Sequence, residues 1–144
     1  MKKTYGILCA GENPLLSQLV GKAPIPLSGD SLRQTLEQAA AAGATEFLVA
    51  MDGDGGLRAA ETLLELKRQY PALRLSCLMR WEEQAVRWPE PLRDRWFDAF
   101  AACDREILLE HRPSADNLRR CVDYLRQNSQ ELLLFREADE AQSV

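Results

Sequence analysis

At 144 residues the chain is long enough for one hydrophobic core of ordinary size and too short for two. Its 46% hydrophobic and 28% charged residues match soluble globular proteins and exclude the disordered and membrane-embedded classes. A formal net charge of -4 offers no general attraction for phosphate backbones, so a nucleic-acid partner is not expected; Arg119, Arg120 and Arg126 lie at helical spacing and read as a solvated face.

The chain opens with positive charges ahead of apolar residues, but the apolar run over residues 5–10 is shorter than a signal-peptide core. It reads as a first strand buried on both faces and stopped by Gly11, Glu12, Asn13 and Pro14. No stretch nears the roughly 20 apolar residues of a membrane span, so no membrane contact is expected and the cytoplasm is the expected location. Cys9, Cys77, Cys103 and Cys121 are scattered without a CxxC pair and are expected to be reduced, packing as small hydrophobes; no metal and no cofactor is expected.

Over residues 15–27, Pro24 and Pro26 rule out a long helix, and the segment is expected to be a loop anchored by Leu19, Val20, Ile25 and Leu27. Ser28 or Asp30 then caps a helix through LRQTLEQAAAA to Gly43, with Leu32, Leu36 and Ala39 or Ala40 on its buried face. A second strand is predicted over 47–51, followed after the loop DGDGG by a helix over 55–70 with an apolar stripe at Leu57, Ala60, Leu64 and Leu66; Pro71 stops it.

A third strand is predicted over 73–79, then the aromatic segment RWEEQAVRW and a helix over 91–102, with Pro91 in its first turn. The fourth strand covers 106–109. The next helix opens near Ser114 and Asn117 and turns Leu118, Cys121, Val122 and Leu125 inward, and the fifth strand covers 131–135. Residues 1–137 form one domain, and the polar tail 138–144 is expected to fray.

Strands alternating with helices predict an α/β fold, because parallel neighbours need long crossovers and helices supply them. The expected architecture is a Rossmann-like three-layer sandwich around a five-stranded, mainly parallel sheet of order 3-2-1-4-5, with its switch point between the first and fourth strands. Ligands of such sheets sit beyond the carboxyl ends of the strands, which directs attention to the loops at 11–14, 52–56, 80–84 and 111–117.

Gly53, Gly55 and Gly56 would let a phosphate approach the amides of a helix start. Asp52 and Asp54 oppose an anion unless a basic side chain such as Arg58 or Arg80 intervenes, and a tight turn with an N-capping aspartate explains the same residues. The loop also resembles the start of a calcium loop, but strand and helix flank it and no bidentate Glu follows at the required spacing.

Trp81, Glu82, Gln84 and Trp88 form a second constellation, in which indoles could stack on a ring while Glu82 and Gln84 read its polar edge; the plainer reading has the tryptophans covering the sheet edge. His111, the only histidine, follows a strand end without a nucleophile in any known motif, and a surface role is favoured. The candidate ligand-binding set is Gly11, Glu12, Asn13, Asp52, Gly53, Asp54, Gly55, Gly56, Arg80, Trp81, Glu82 and Gln84, with no catalytic residue assigned.

Residues 47–135 resemble the YpsA-like branch of the SLOG superfamily, Rossmann-like proteins related to the Smf/DprA and LOG (lysine-decarboxylase-like) families. Phe47 with Ala59, Ala60 and Glu61 is similar to that branch's strand-loop-helix segment, and LKRQYPALRL is similar to its linker. Glu82, Gln84, Ala85 and Trp88 resemble its FExQAxxW element, Arg93 with Asp104 its helix leading to the next strand, and Tyr124 with Ser129 its last helix and turn.

The chain departs from the pattern in four places. Val49 and Ala50 stand for a Ser-Gly pair, Asp54 and Gly56 for the Gly and Asp of a GxD, Ala10, Gly11 and Glu12 near an expected Gly-His-Arg, and Cys121 and Val122 for an Arg-Asn. The PGGxGTxxE motif of LOG relatives, which hydrolyse cytokinin ribotides, is absent.

The resemblance implies the fold, the position of the site, and a nucleotide or nucleotide-derived small molecule as the partner. Two other functions stay open: a degenerate, non-catalytic structural or interaction module, with Trp88 and Trp96 as a homo-oligomer surface, and a hydrolase of N-glycosidic bonds using Glu82 or Asp54.

Overall fold

The computed structural model of the chain describes residues 2–11 and 14–137. The elements run β1 (Thr4–Ala10), α1 (Pro14–Val20), β2 (Ile25–Pro26), α2 (Gly29–Ala41), β3 (Glu46–Ala50), α3 (Asp54–Leu66), β4 (Arg74–Trp81), α4 (Glu90–Ala102), β5 (Arg105–Glu110), α5 (Asn117–Gln127) and β6 (Glu131–Arg136). All strands pair in parallel in one six-stranded sheet of order β2-β6-β1-β3-β4-β5.

The α/β class is as expected, and two details of the sheet differ. The predicted order put the fourth strand beside the first; instead β5 lies at the far edge beyond β4, and β6 lies beside β1. The residues explain the exchange. β5 carries Arg105, Glu106 and Glu110, charges that protect an open edge, whereas β6 presents LLLF with Leu132, Leu134 and Phe135 buried, as an interior strand requires.

The sixth strand comes from the segment expected to be a loop. Pro24 and Pro26 do forbid a long helix, but the seven residues of α1 fit before them and end at Gly21, whose φ of 74° is a left-handed conformation suited to glycine. Ile25 and Pro26 then pair with Phe135 and Arg136 at the sheet edge, where a residue lacking an N–H is tolerated.

Helix α2 starts at a capping box in which Ser28 and Ser31 exchange side-chain and backbone hydrogen bonds of 3.0 and 2.9 Å. Its Leu32, Leu36 and Ala39 pack with α3 and α4 on one face of the sheet. Leu16 and Val20 of α1 and Cys121, Val122 and Leu125 of α5 cover the other face. Crossovers running toward β5 therefore use one face and those running back toward β2 use the other, as a single crossover hand demands.

Helix α3 stops at Leu66, a turn earlier than its apolar stripe predicts, because residues 67–69 form tight turns ahead of Pro71. Trp96, expected at an exposed surface, is 4% exposed and packs edge-on with Trp88 and Phe97, so the indoles belong to the core under α4. No helix among the described residues is long and apolar enough to cross a membrane.

Gly56 lies against the end of β3: a Cβ there would overlap the Ala50 carbonyl oxygen and approach Met51 Cα to 3.3 Å. At Gly53 an added Cβ meets nothing within 4 Å, and its φ of 168° is ordinary extended backbone. Gly56→Ala is accordingly expected to lower the unfolding free energy by about 1–3 kcal/mol, while Gly53→Ala stays within about 0.5 kcal/mol of the parent, as read from urea unfolding midpoints.

Candidate functional site

Neighbouring strands β1 and β3 send their chains to opposite faces, β1 into α1 and β3 into α3, and a crevice opens where they part. A cavity of about 340 Å3 lies there. Cys9, Ala10 and Gly11 of the β1 end form one side, Asp52 and Arg80 the β3 and β4 side, and Glu137 the end of β6, with Leu16 and Leu118 as apolar walls. The switch point lies between β1 and β3, not between the strands the predicted order implied.

The polar side of the crevice is a connected network. Asp52 Oδ2 stands 3.3 Å from Arg80 Nη1, and Gln84 Nε2 donates to Asp52 Oδ1 at 3.1 Å. Arg80 Nε donates to Asn117 Oδ1 at 2.6 Å, and Asn117 Nδ2 in turn donates to Glu110 Oε1 at 2.8 Å. The backbone N–H of Arg80 donates to Gln84 Oε1 at 2.9 Å, which locks the turn after β4 to the strand end. The start of α5, the turn after β4 and the ends of β3, β4 and β5 thus hold one another through side chains.

Burial, the largest influence, raises the Asp52 carboxyl above the ordinary aspartate range; Arg80 and the Gln84 amide pull the other way without reversing it. Burial likewise raises the Cys9 thiol, with Glu137 and Asp52 adding to it, so Cys9 lines the crevice as an apolar group with no thiolate to offer.

Helix α3 has Gly53 as its N-cap with no side-chain hydrogen bond, so the aspartate cap expected from DGDGG is not formed. The anion at this helix start is Glu137, whose Oε1 accepts from the Gly55 N–H at 2.9 Å. Gly55 has to be small: a Cβ would overlap that carboxylate and come within 2.7 Å of Cys9 Cβ. Asp54 points away and pairs with Arg95 Nη1 at 2.8 Å, the same arginine that grips Glu61 at 2.7 and 3.1 Å. The basic partners of this loop are Arg80, at Asp52, and Arg95, at Asp54; Arg58 is neither.

The expected site residues therefore divide. Gly11, Asp52 and Arg80 line the crevice, Gly55 and Gln84 hydrogen-bond to its lining residues Glu137 and Asp52, Gly53 and Asp54 lie off it, and Gly56 serves packing. Glu12 and Asn13 lie outside the described residues. Trp81 and Glu82 border a separate groove of about 630 Å3 with Val86, Arg87 and His111, where Glu82 Oε1 and His111 Nδ1 stand 3.0 Å apart on an exposed surface.

The sequence reading missed Glu137, Glu110 and Arg95. A polar residue directly after an apolar strand was the available signal for Glu137; for Arg95, on the outer turn of a helix, there was none.

The raised Asp52 pKa has a measurable sign. Stability tied to a carboxyl whose folded pKa exceeds its unfolded one is present at acid pH and lost as pH rises through the folded value. Relative to Asp52→Asn, the parent chain is expected to lose stability as pH rises above about 4, read as the difference between urea midpoints of the two proteins.

A family model, YpsA, described as the YspA SLOG family, matches residues 25–144. The UPF0398 protein YpsA of Bacillus subtilis is 35% identical over 57 residues, covering 40% of this chain and 32% of that protein. UPF0398 protein RBAM_020340 of Bacillus velezensis is 35% identical over 57 residues, covering 40% and 31%. The matched stretch is about a third of the length of these curated relatives. Among solved structures, a CheY-like protein (TadZ) of Pseudomonas aeruginosa is similar at 15% identity and a TM-score of 0.38, covering 87% of this chain and 94% of that one, a likeness too slight to carry an argument. The family match begins at β2, takes in every later strand and spans well over half of the sequence, and the chain belongs to the YpsA family of SLOG proteins.

Proposed function

We propose that the chain is a binding module for a nucleotide-derived small molecule, held in the crevice between the ends of β1 and β3. The observation that carries this reading is the cavity itself. At about 340 Å3 it reaches the size of small-molecule pockets, roughly 300–1,000 Å3, and it lies where adjacent parallel strands diverge, the usual ligand position in such sheets. Apolar Leu16, Leu118 and Cys9 oppose the polar Asp52, Arg80 and Glu137, a lining suited to a ring system bearing hydroxyl groups.

Hydrolysis of an N-glycosidic bond draws no support from the arrangement. Glu82 is tied to His111 in the outer groove and Asp54 to Arg95, and neither borders the crevice. A self-associating module is the second reading, and it rests on Phe97 and Val86, 56% and 57% exposed, rather than on the buried Trp96.

Thermal unfolding against a panel of nucleosides, nucleotides and sugar phosphates tests the first reading. A bound ligand at a hundredfold excess over its Kd is expected to add about 2.7 kcal/mol to stability; no stabilisation by any member overturns it. Light scattering tests the second: a mass above one chain that falls to one chain in Phe97→Glu is expected, and a monomeric parent ends it.

A further inference from the structure

We infer that Glu137 sets the charge selectivity of the crevice, so that it takes a nucleoside or another uncharged or cationic nucleotide fragment in preference to the phosphorylated compound. The inference rests on the small-molecule reading above and names the ligand class of that same site.

The start of a helix attracts anions, because its first amides lack partners and the helix dipole adds positive charge there. In this chain that attraction is met from within. The Gly55 N–H donates to Glu137 Oε1 at 2.9 Å across 82 residues of sequence, and the absence of a side chain at Gly55 is what admits the carboxylate beside Cys9.

The remaining charges of the crevice lead the same way. Asp52 places a second carboxyl group in the lining, its side chain only 12% exposed, and offers no positive charge to an anion. Arg80, the cation of the lining, already directs Nη1 to Asp52 and Nε to Asn117. An arriving phosphate, which carries a charge of about -1.5 to -2 at neutral pH, meets the Glu137 carboxylate, an engaged guanidinium and an occupied helix terminus. A ribose meets carboxyl oxygens of Glu137 and Asp52 able to accept hydrogen bonds from its hydroxyls, and gives up no favourable contact by lacking a phosphate.

The test measures binding of the four ribonucleosides, their 5′-monophosphates and ADP-ribose to the parent chain and to Glu137→Gln by calorimetry, with thermal unfolding to show that both are folded. Glutamine keeps an oxygen for the Gly55 N–H and removes the charge.

The expected result is a nucleoside bound by the parent at least about tenfold more tightly than its monophosphate, with that preference reduced by about tenfold or more in Glu137→Gln. A parent that binds the monophosphate as well as the nucleoside, or a ratio unmoved by the substitution, overturns the selectivity and leaves the binding module standing. Binding of no panel member by either protein overturns both.

Discussion

Helix α3 begins almost in contact with the strand that precedes it, and the rest of the site depends on that closeness. Gly56 rests on the Ala50 carbonyl where any side chain would collide, so the helix can descend onto the sheet immediately after β3. Its buried residues Leu57, Ala60 and Leu63 then pack with the cluster that includes Ile7, Phe47 and Val49. Because the helix axis is fixed at its first turn, the Gly55 amide faces the ends of β1 and β6 rather than solvent. One close backbone approach thus positions an amide, a carboxylate and a cavity wall together.

The crevice is balanced more by hydrogen bonds than by net charge. Asp52, Arg80, Gln84, Asn117 and Glu110 form a chain in which each link positions the next, from the end of β3 to the start of α5. Groups in such a network share the cost of desolvation, and removing one strands its neighbours. This accounts for the low exposure of Gln84 and Asn117, 7% and 3%, in a region where polar side chains ordinarily reach water.

The strands and most helices were legible in the sequence because periodicity and punctuation coincide there. Ser28 and Gly43 bracket α2, and the apolar runs at β1, β3, β4 and β6 are short and bounded by turn residues. Strand order was not legible from crossover rules alone, although the charges of β5 against the apolar β6 carried the information. At the crevice, the residues legible in the sequence are those adjacent to strand ends: Gly11, Asp52 and Arg80 in the lining, and Gln84 bonded to Asp52. Partners joined across long stretches of sequence did not, since nothing local to Glu137 announces Gly55 and nothing local to Arg95 announces Asp54.

The placement of β6 between β1 and β2 has a temporal side. β1 pairs along Tyr5 to Ala10 with a strand that follows the other five in sequence, and β2 pairs with that strand as well. Until β6 emerges, one edge of β1 stays open and β2 has no neighbour, while β3, β4 and β5 can assemble outward from the other side of β1. Pairings this distant in sequence are slow to close, because the intervening chain must be ordered first. The carboxylate of Glu137 reaches the Gly55 amide only after that closure. The site is therefore completed by one of the pairings most distant in sequence.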